Sequence, residues 1–298
     1  MSAYEYAVLD SFTRRRFAGN PAGVVLHDGT LTGAQMQLIA GELGLETAFL
    51  MPLAGTEADN ADYRAAYYTG TRRIPLCGHD TVAAAVLLAH TTRLSVPGTV
   101  RFATDVGDLS VEMTEEGTAI MEQARPQHGA SASADDVADA LGLTREEIVG
   151  PPQVVSTGTP FLFAPIRTRA ALDALRPDGA RLAAFLDVLP GRVNGAYVWT
   201  QETTDPAALV HARCFAPGVG LPEDPVTGSA SGALGAYLLR HGLARPDADG
   251  MLSFMTEQGH AMGRPGHAQV RLEVTGEDVT RVQVGGHAVL VAQGRFWV

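Results

Sequence analysis

The sequence predicts an α+β fold of two similar halves, each a rolled, mostly antiparallel sheet around one central apolar helix. Three observations point there. Strand-like alternation recurs along both halves of the 298 residues. Two Gly-containing polar segments, roughly 150 residues apart, each run into an apolar helix of small residues. They are Cys77-Gly78-His79-Asp80-Thr81, before a helix at 82–88, and Glu223-Asp224-Pro225-Val226-Thr227-Gly228-Ser229-Ala230-Ser231-Gly232, before a helix at 233–239. Short stretches also match between the halves, residues 85–90 with 236–241 and 47–50 with 159–162.

The elements follow in order. Residues 4–10 alternate and predict a strand. The turn Phe17-Ala18-Gly19-Asn20-Pro21 leads into an apolar strand at 23–26. Residues 32–43 have helical spacing, with Met36, Ile39, Ala40 and Leu43 on one face and Thr30 or Thr32 as the cap. A strand at 46–50 starts directly afterwards. Residues 62–68 alternate, with Tyr63, Ala65 and Tyr67 on one side. Beyond the Cys77 helix, strands near 99–102 and 109–113 are joined by a turn containing Gly107, and a third strand follows at 119–122. The small polar stretch 126–133 reads as a linker. It divides the chain into an N-terminal half, 1–125, completed by a C-terminal strand at about 288–298, and a C-terminal half, 126–287.

The second half repeats the mixture. A helix is predicted at 134–141, strands within 154–163, helices at 170–175 and 181–189, and strands at 197–200 and 209–215. The Asp224 segment and its helix follow, then strands from 252 to the C-terminus. Small residues in the two central helices let a sheet approach closely.

Composition narrows the chemistry. The chain is 46% hydrophobic and 18% charged, enough to bury a sizeable core, and its net charge is −11. Nucleic acid and anionic membranes are therefore poor partners. No apolar run reaches the roughly 18 residues of a membrane span, and no signal-peptide pattern opens the chain, so a cytoplasmic protein is expected. All 22 basic residues are Arg. Without a lysine there is no Schiff base, hence no pyridoxal-phosphate or lysine-aldolase chemistry, and no Walker A lysine. Two cysteines, Cys77 and Cys214, are too few for a four-thiolate zinc site or an iron–sulfur cluster. The nine His form no HExxH and no i, i+4 pair, and no GxGxxG follows a predicted strand. No cofactor and no metal are expected.

The two Gly-containing segments put free backbone N–H donors at the start of buried helices, a ready site for the carboxylate of a small-molecule substrate. Glu46, at the edge of an apolar strand, has a carboxyl whose pKa desolvation would raise, fit for a general acid or base; alternatively it is a solvated junction residue. His79 either bonds a substrate carboxylate and shuttles a proton or packs as a cap. Asp80 suits the N-cap or first turn. Asp224, held extended by Pro225, serves the site or caps its loop. Ser229 offers a hydroxyl and an N–H. Cys77 is either a thiolate base favoured by the helix start or a small buried hydrophobe.

Phe17-Ala18-Gly19-Asn20-Pro21-Ala22, Glu46-Thr47-Ala48-Phe49, Gly78-His79, Phe215-Ala216-Pro217, the Glu223–Ala230 block and Val284-Gly285-Gly286 resemble the PhzF-like isomerase family of phenazine biosynthesis. The matches span nearly the whole chain in the family's order, and the Glu-Asp-Pro-x-Thr-Gly-Ser block is the most specific. The resemblance implies a diaminopimelate-epimerase-like fold with the active site in the cleft, cofactor-free proton transfer and a homodimer. It implies that Glu46 takes a proton from one carbon and returns one to another; the family's prototype substrate is a dihydro-hydroxyanthranilate. His79, Asp224 and Ser229, with backbone N–H groups near Gly78 and Gly228, are implied to hold or polarise the substrate. Asn20 and Cys77 join the substrate-binding positions.

Two departures stand out. Cys77 and Asp80 flank Gly78-His79 where the phenazine prototype has Ala and Pro. A two-thiol racemase of the same fold needs a second Cys at the other helix start, which Pro225-Val226-Thr227-Gly228 occupies. The expected function is an allylic 1,3- or 1,5-type proton shift in a small unsaturated amino or hydroxy acid. The alternatives are a Cys77-assisted epimerase or racemase of a small amino acid and a non-catalytic small-molecule-binding homologue.

Overall fold

The computed structural model describes residues 2–54, 60–276 and 278–298. Two compact units are present, Met1–Glu122 with Gly285–Val298, and Gln123–Val284.

The first unit holds β1 (Ala3–Ser11), β2 (Asn20–Leu26), α1 (Gly33–Leu43), β3 (Thr47–Pro52), β4 (Tyr63–Tyr68), β5 (Arg73–Ile74), α2 (Gly78–His90), β6 (Gly98–Thr104), β7 (Gly107–Met113) and β8 (Ala119–Gln123), closed by a C-terminal strand, Ala288–Trp297. Its pairing runs from the C-terminal strand through β1, β2, β3, β4, β6 and β7 to β8. Two steps are parallel, β2 to β3 and β4 to β6. A parallel step needs a crossover, and helices supply both: α1 after β2, and α2 after β4 and the short β5. A capping box between Thr32 and Gln35 starts α1, which ends on a left-handed Gly44. Its Met36, Ile39 and Ala40 pack with Val25, Phe49 and Tyr68. In α2 the run Asp80 to Ala85, with Leu87 and Leu88, is buried. A helix buried on all sides must be apolar all round, and Val82, Leu87 and Leu88 each contribute roughly 1.5–3 kcal/mol on burial.

The second unit holds β9 (Gln127–Ser131), α3 (Ala134–Leu141), β10 (Gln153–Ser156), β11 (Pro160–Pro165), α4 (Arg169–Ala174), α5 (Gly179–Val188), β12 (Gly195–Thr200), β13 (Val210–Ala216), β14 (Leu221–Asp224), α6 (Gly228–Arg240), β15 (Met251–Gln258), β16 (Gly266–Thr275) and β17 (Asp278–Gly286). From β9 to β17 it repeats the strand order and sense of the first, with parallel steps at β11–β12 and β13–β15. Here α4 and α5 take the place of α1, and α6 that of α2. The backbone of α6 lies hard against its neighbours: a Cβ on Gly232 would overlap Gln123 Oε1. The α+β class with two similar sheet-and-helix halves is thus present.

The structure corrects four local expectations. Residues 126–133 are not a linker: β9 forms there and pairs with β10, since a ladder asks only for an open strand edge, not apolar side chains. The central helices start at Gly78 and Gly228, several residues before their apolar runs. Asp224 ends a strand opposite Cys214 instead of lying in a turn. The match of 47–50 with 159–162 joins non-equivalent strands, because β3 corresponds by pairing to β12. Following the registers, Ala48 opposite Tyr67 corresponds to Tyr197 opposite Cys214. Glu46 then corresponds to Gly195, and Cys77 to Thr227.

No helix among the described residues is long and apolar enough to cross a membrane.

Candidate active site

The helix starts separate into two kinds. Side chains of Thr32, Ser133, Thr168 and Asp178 accept first-turn N–H bonds and cap α1, α3, α4 and α5. The central helices α2 and α6 begin at Cys77 and Thr227 with no side-chain cap bond. The helix dipole favours an anion at both starts.

At the start of α2 four functional side chains meet. Glu46, one residue before β3, is anchored through its carbonyl, which accepts the Gly23 N–H at 2.9 Å. Its side chain is 21% exposed. The Cys77 thiol donates to Glu46 Oε2 at 2.9 Å. His79 Nδ1 lies 3.2 Å from the same sulfur. His79 Nε2 lies 3.3 Å from Asp80 Oδ1 and 3.8 Å from Glu46 Oε2. His79 thus turns Nδ1 to the Cys77 sulfur and Nε2 to Asp80, and its tautomer decides which nitrogen donates. Asp80 is fully buried in the first turn of α2, and Cys77, not Asp80, is the N-cap.

Of the two readings of Cys77, its surroundings favour the small buried residue over the thiolate base. Burial, followed by the charges of Asp80 and Glu46, pushes its thiol well above the usual range. Desolvation outweighs the helix start, so at neutral pH Cys77 is a neutral thiol, buried at 6% exposure. The four groups also offer ligand atoms within 4.8 Å of one another, a donor set able to hold a metal ion.

Asn20 is buried at the head of β2, opposite Ser11. Ser11 ties this turn to α2 through a 2.7 Å bond to the His79 carbonyl. Gly19 is required there: φ is +62°, and a Cβ would sit 2.2 Å from Ser11 O. Gly78 differs. A Cβ would meet only Met121, at 3.8 Å, so the fold leaves the Gly78 backbone open to close approach.

In the second unit, Asp224 Oδ2 accepts the Thr227 hydroxyl at 2.5 Å, and its carbonyl accepts from Gln258 at 2.7 Å. Gln258 Oε1 takes the Thr227 N–H at 3.1 Å. The Gly228 carbonyl accepts from Gln123 at 3.1 Å, and the Ser229 carbonyl from Thr157 at 3.3 Å. Gln123, Thr157, Thr227 and Gln258 hold this helix start and were not singled out from the sequence. All but Thr227 lie far along the chain, 105 residues in the case of Gln123 and Gly228, so no local pattern marks them.

Known proteins resemble this chain along nearly its whole length. An uncharacterized isomerase of Clostridium acetobutylicum is 34% identical over 297 residues, covering 97% of this chain and 96% of its own. The trans-2,3-dihydro-3-hydroxyanthranilate isomerase of Pseudomonas aeruginosa is 30% identical over 302 residues, covering 99% and 100%. Among solved structures, a Bacillus anthracis phenazine biosynthesis protein of the PhzF family superposes with a TM-score of 0.89 at 28% identity, covering 100% of both chains. Fold and relatives together define the class: this chain is an enzyme of the isomerase type. It belongs to the PhzC/PhzF family of phenazine biosynthesis-like proteins, whose family model matches residues 9–294.

Proposed function

We propose that the chain is a cofactor-independent isomerase that shifts a proton, in an allylic 1,3- or 1,5-sense, within a small unsaturated amino or hydroxy acid. The observation that carries this reading is the Glu46 carboxylate, bonded by the Cys77 thiol at 2.9 Å beside the uncapped start of α2. Glu46 is the acid/base that removes a proton from one carbon and returns one to another. The helix start at Gly78 binds the substrate carboxylate and the charge that delocalises as the C–H bond breaks. In the first unit His79 polarises the substrate and Asn20 and Cys77 position it; Asp224 and Ser229 are the candidate substrate-binding residues of the second unit. The setting is the cytoplasm, where a free thiol such as Cys77 stays reduced, and the active form is a homodimer.

The Pseudomonas relative supplies the first compound to test. Proton NMR of trans-2,3-dihydro-3-hydroxyanthranilate in D2O, with wild type and Glu46→Gln in parallel, reads the reaction and its base together. Isomerised product carrying deuterium, absent with the variant, is expected. Equal turnover by both proteins would remove Glu46 from the chemistry.

A second reading, a Cys77-assisted epimerase of a small amino acid, is favoured by the contacts of Cys77 Sγ with both Glu46 and His79. Cys77→Ala separates the two: it abolishes a thiol-dependent epimerisation but leaves a Glu46-based shift measurable.

A further inference from the structure

The second unit contains a buried array that the isomerase reading does not use. His211 on β13 and Glu257 on β15 are register partners in the parallel pair, 1% and 0% exposed. His211 Nδ1 and Glu257 Oε1 share a hydrogen at 2.6 Å. The Glu257 carboxylate also accepts the backbone N–H of Thr204 at 2.6 Å and of Asp205 at 2.8 Å. Behind the ring, His211 Nε2 meets Asp173 Oδ1 at 3.1 Å. The His260 ring lies 4.9 Å from that of His211, centroid to centroid. Its Nδ1 is buried and has no hydrogen-bond partner among the described residues. One ligand atom from each of His211, Glu257 and His260 lies within 4.8 Å of the other two.

We propose that His211, Glu257 and His260 form a binding site for a zinc-class divalent cation. Two imidazoles and a carboxylate are a set that such an ion takes with a fourth position left for water. Hydrogen bonding alone accounts for His211 and Glu257, but it leaves the buried His260 Nδ1 unsatisfied, which is costly. The ion takes the place of the proton between His211 Nδ1 and Glu257 Oε1, and that proton leaves to solvent. The pair, now at hydrogen-bond distance, opens slightly to admit the metal.

The supporting shell is already in place. Asp173 accepts from His211 Nε2 and so fixes the tautomer that frees Nδ1 for the ion, as ligand histidines ordinarily require. The N–H groups of Thr204 and Asp205 orient Glu257. Glu257 and Asp173 balance the ion's two charges. The site ties β13 to β15 and to the turn after β15, so its role is to staple the second unit. It is independent of the Glu46 chemistry.

The full-length protein, stripped by chelator and dialysed, is titrated with zinc against a chromogenic chelator, and its bound metal is measured by elemental analysis. Wild type is expected to take up one zinc per chain with release of about one proton. His260→Ala leaves the His211, Glu257 and Asp173 bonds in place, so the fold is kept while affinity falls about tenfold or more. Cys77→Ala, which alters the other donor cluster, is expected to bind as wild type does. Bound Co2+ should show no thiolate charge-transfer band. No zinc uptake by wild type, uptake that His260→Ala leaves unchanged, or uptake that Cys77→Ala removes would each overturn the proposal.

Discussion

Tyr67 and Tyr197 place their hydroxyls on equivalent side chains of the two central helices while standing on non-equivalent strands. Tyr67, on β4, meets Thr81 Oγ1 at 2.8 Å; Tyr197, on β12, meets Ser231 Oγ at 3.4 Å. Thr81 and Ser231 in turn donate to the N-cap carbonyls of Cys77 and Thr227, at 2.7 and 2.9 Å. The large residue has changed strands: Ala48 and Tyr67 face each other in one unit, Tyr197 and Cys214 in the other. Both helix starts are therefore held alike, whereas the reactive groups differ. Glu46 and Cys77 in the first unit correspond to Gly195 and Thr227 in the second.

Removing the Tyr67 hydroxyl tests that support. Tyr67→Phe is expected to cost about 1 kcal/mol, because Thr81 keeps its bond to Cys77. Tyr67→Ala should cost about 3–5 kcal/mol through the cavity it leaves. Urea unfolding of both variants gives the comparison, and equal losses would show that the hydroxyl, not the ring, carries the contribution.

Glu46→Gln keeps the shape of the side chain and an acceptor for the Cys77 thiol. Its expected effect is a fall in kcat of about 10²–10⁴-fold with an unchanged unfolding midpoint. Steady-state kinetics and a thermal melt on the same preparation check both halves of that statement.

Gly78→Ala probes the open backbone at the start of α2. The new methyl meets only Met121, at 3.8 Å, so stability should change by no more than about 1 kcal/mol. Substrate that approaches this backbone closely loses a charge-assisted bond, raising KM about tenfold or more. An unchanged KM would place the carboxylate elsewhere.

Stability should form a plateau around neutral pH. Burial raises the thiols of Cys77 and Cys214 and the phenols of Tyr67 and Tyr197. The folded chain holds these protons where the unfolded chain loses them, so stability falls as pH rises past about 8.5 and again past about 10. Burial lowers His27, His128 and His287. There the unfolded chain binds more protons, so stability also falls as pH drops below about 6.5. Denaturant midpoints from pH 5 to pH 10 would show both slopes. Alkylation of Cys77 in the folded protein should stay slow through neutral pH for the same reason, and fast labelling at pH 7 would contradict the neutral thiol.

Much of this protein was legible along the chain. Period-two alternation located β1 and β4, and helical spacing with a Thr cap located α1, because these signals depend only on neighbouring residues. The Gly78 and Gly228 segments announced two equivalent helix starts. The missing lysines removed whole reaction classes without any structure. The sequence alone therefore determined the α+β class and the doubling, and it named Glu46, Cys77 and His79, which the fold brings together at the start of α2.

Tertiary structure decided what depends on residues far apart. Residues 126–133 form β9 only because the edge of β10 is there to pair with. Ala48 and Tyr197 are equivalent by register, which no short sequence match revealed. The charge state of Cys77 follows from the burial and carboxylates that folding brings around it, against the preference of its own helix start. His211 and Glu257, 46 residues apart, become partners because two parallel strands lie side by side. Local pattern specifies the elements; pairing, burial and charge are sums over neighbours that exist only once the chain has folded.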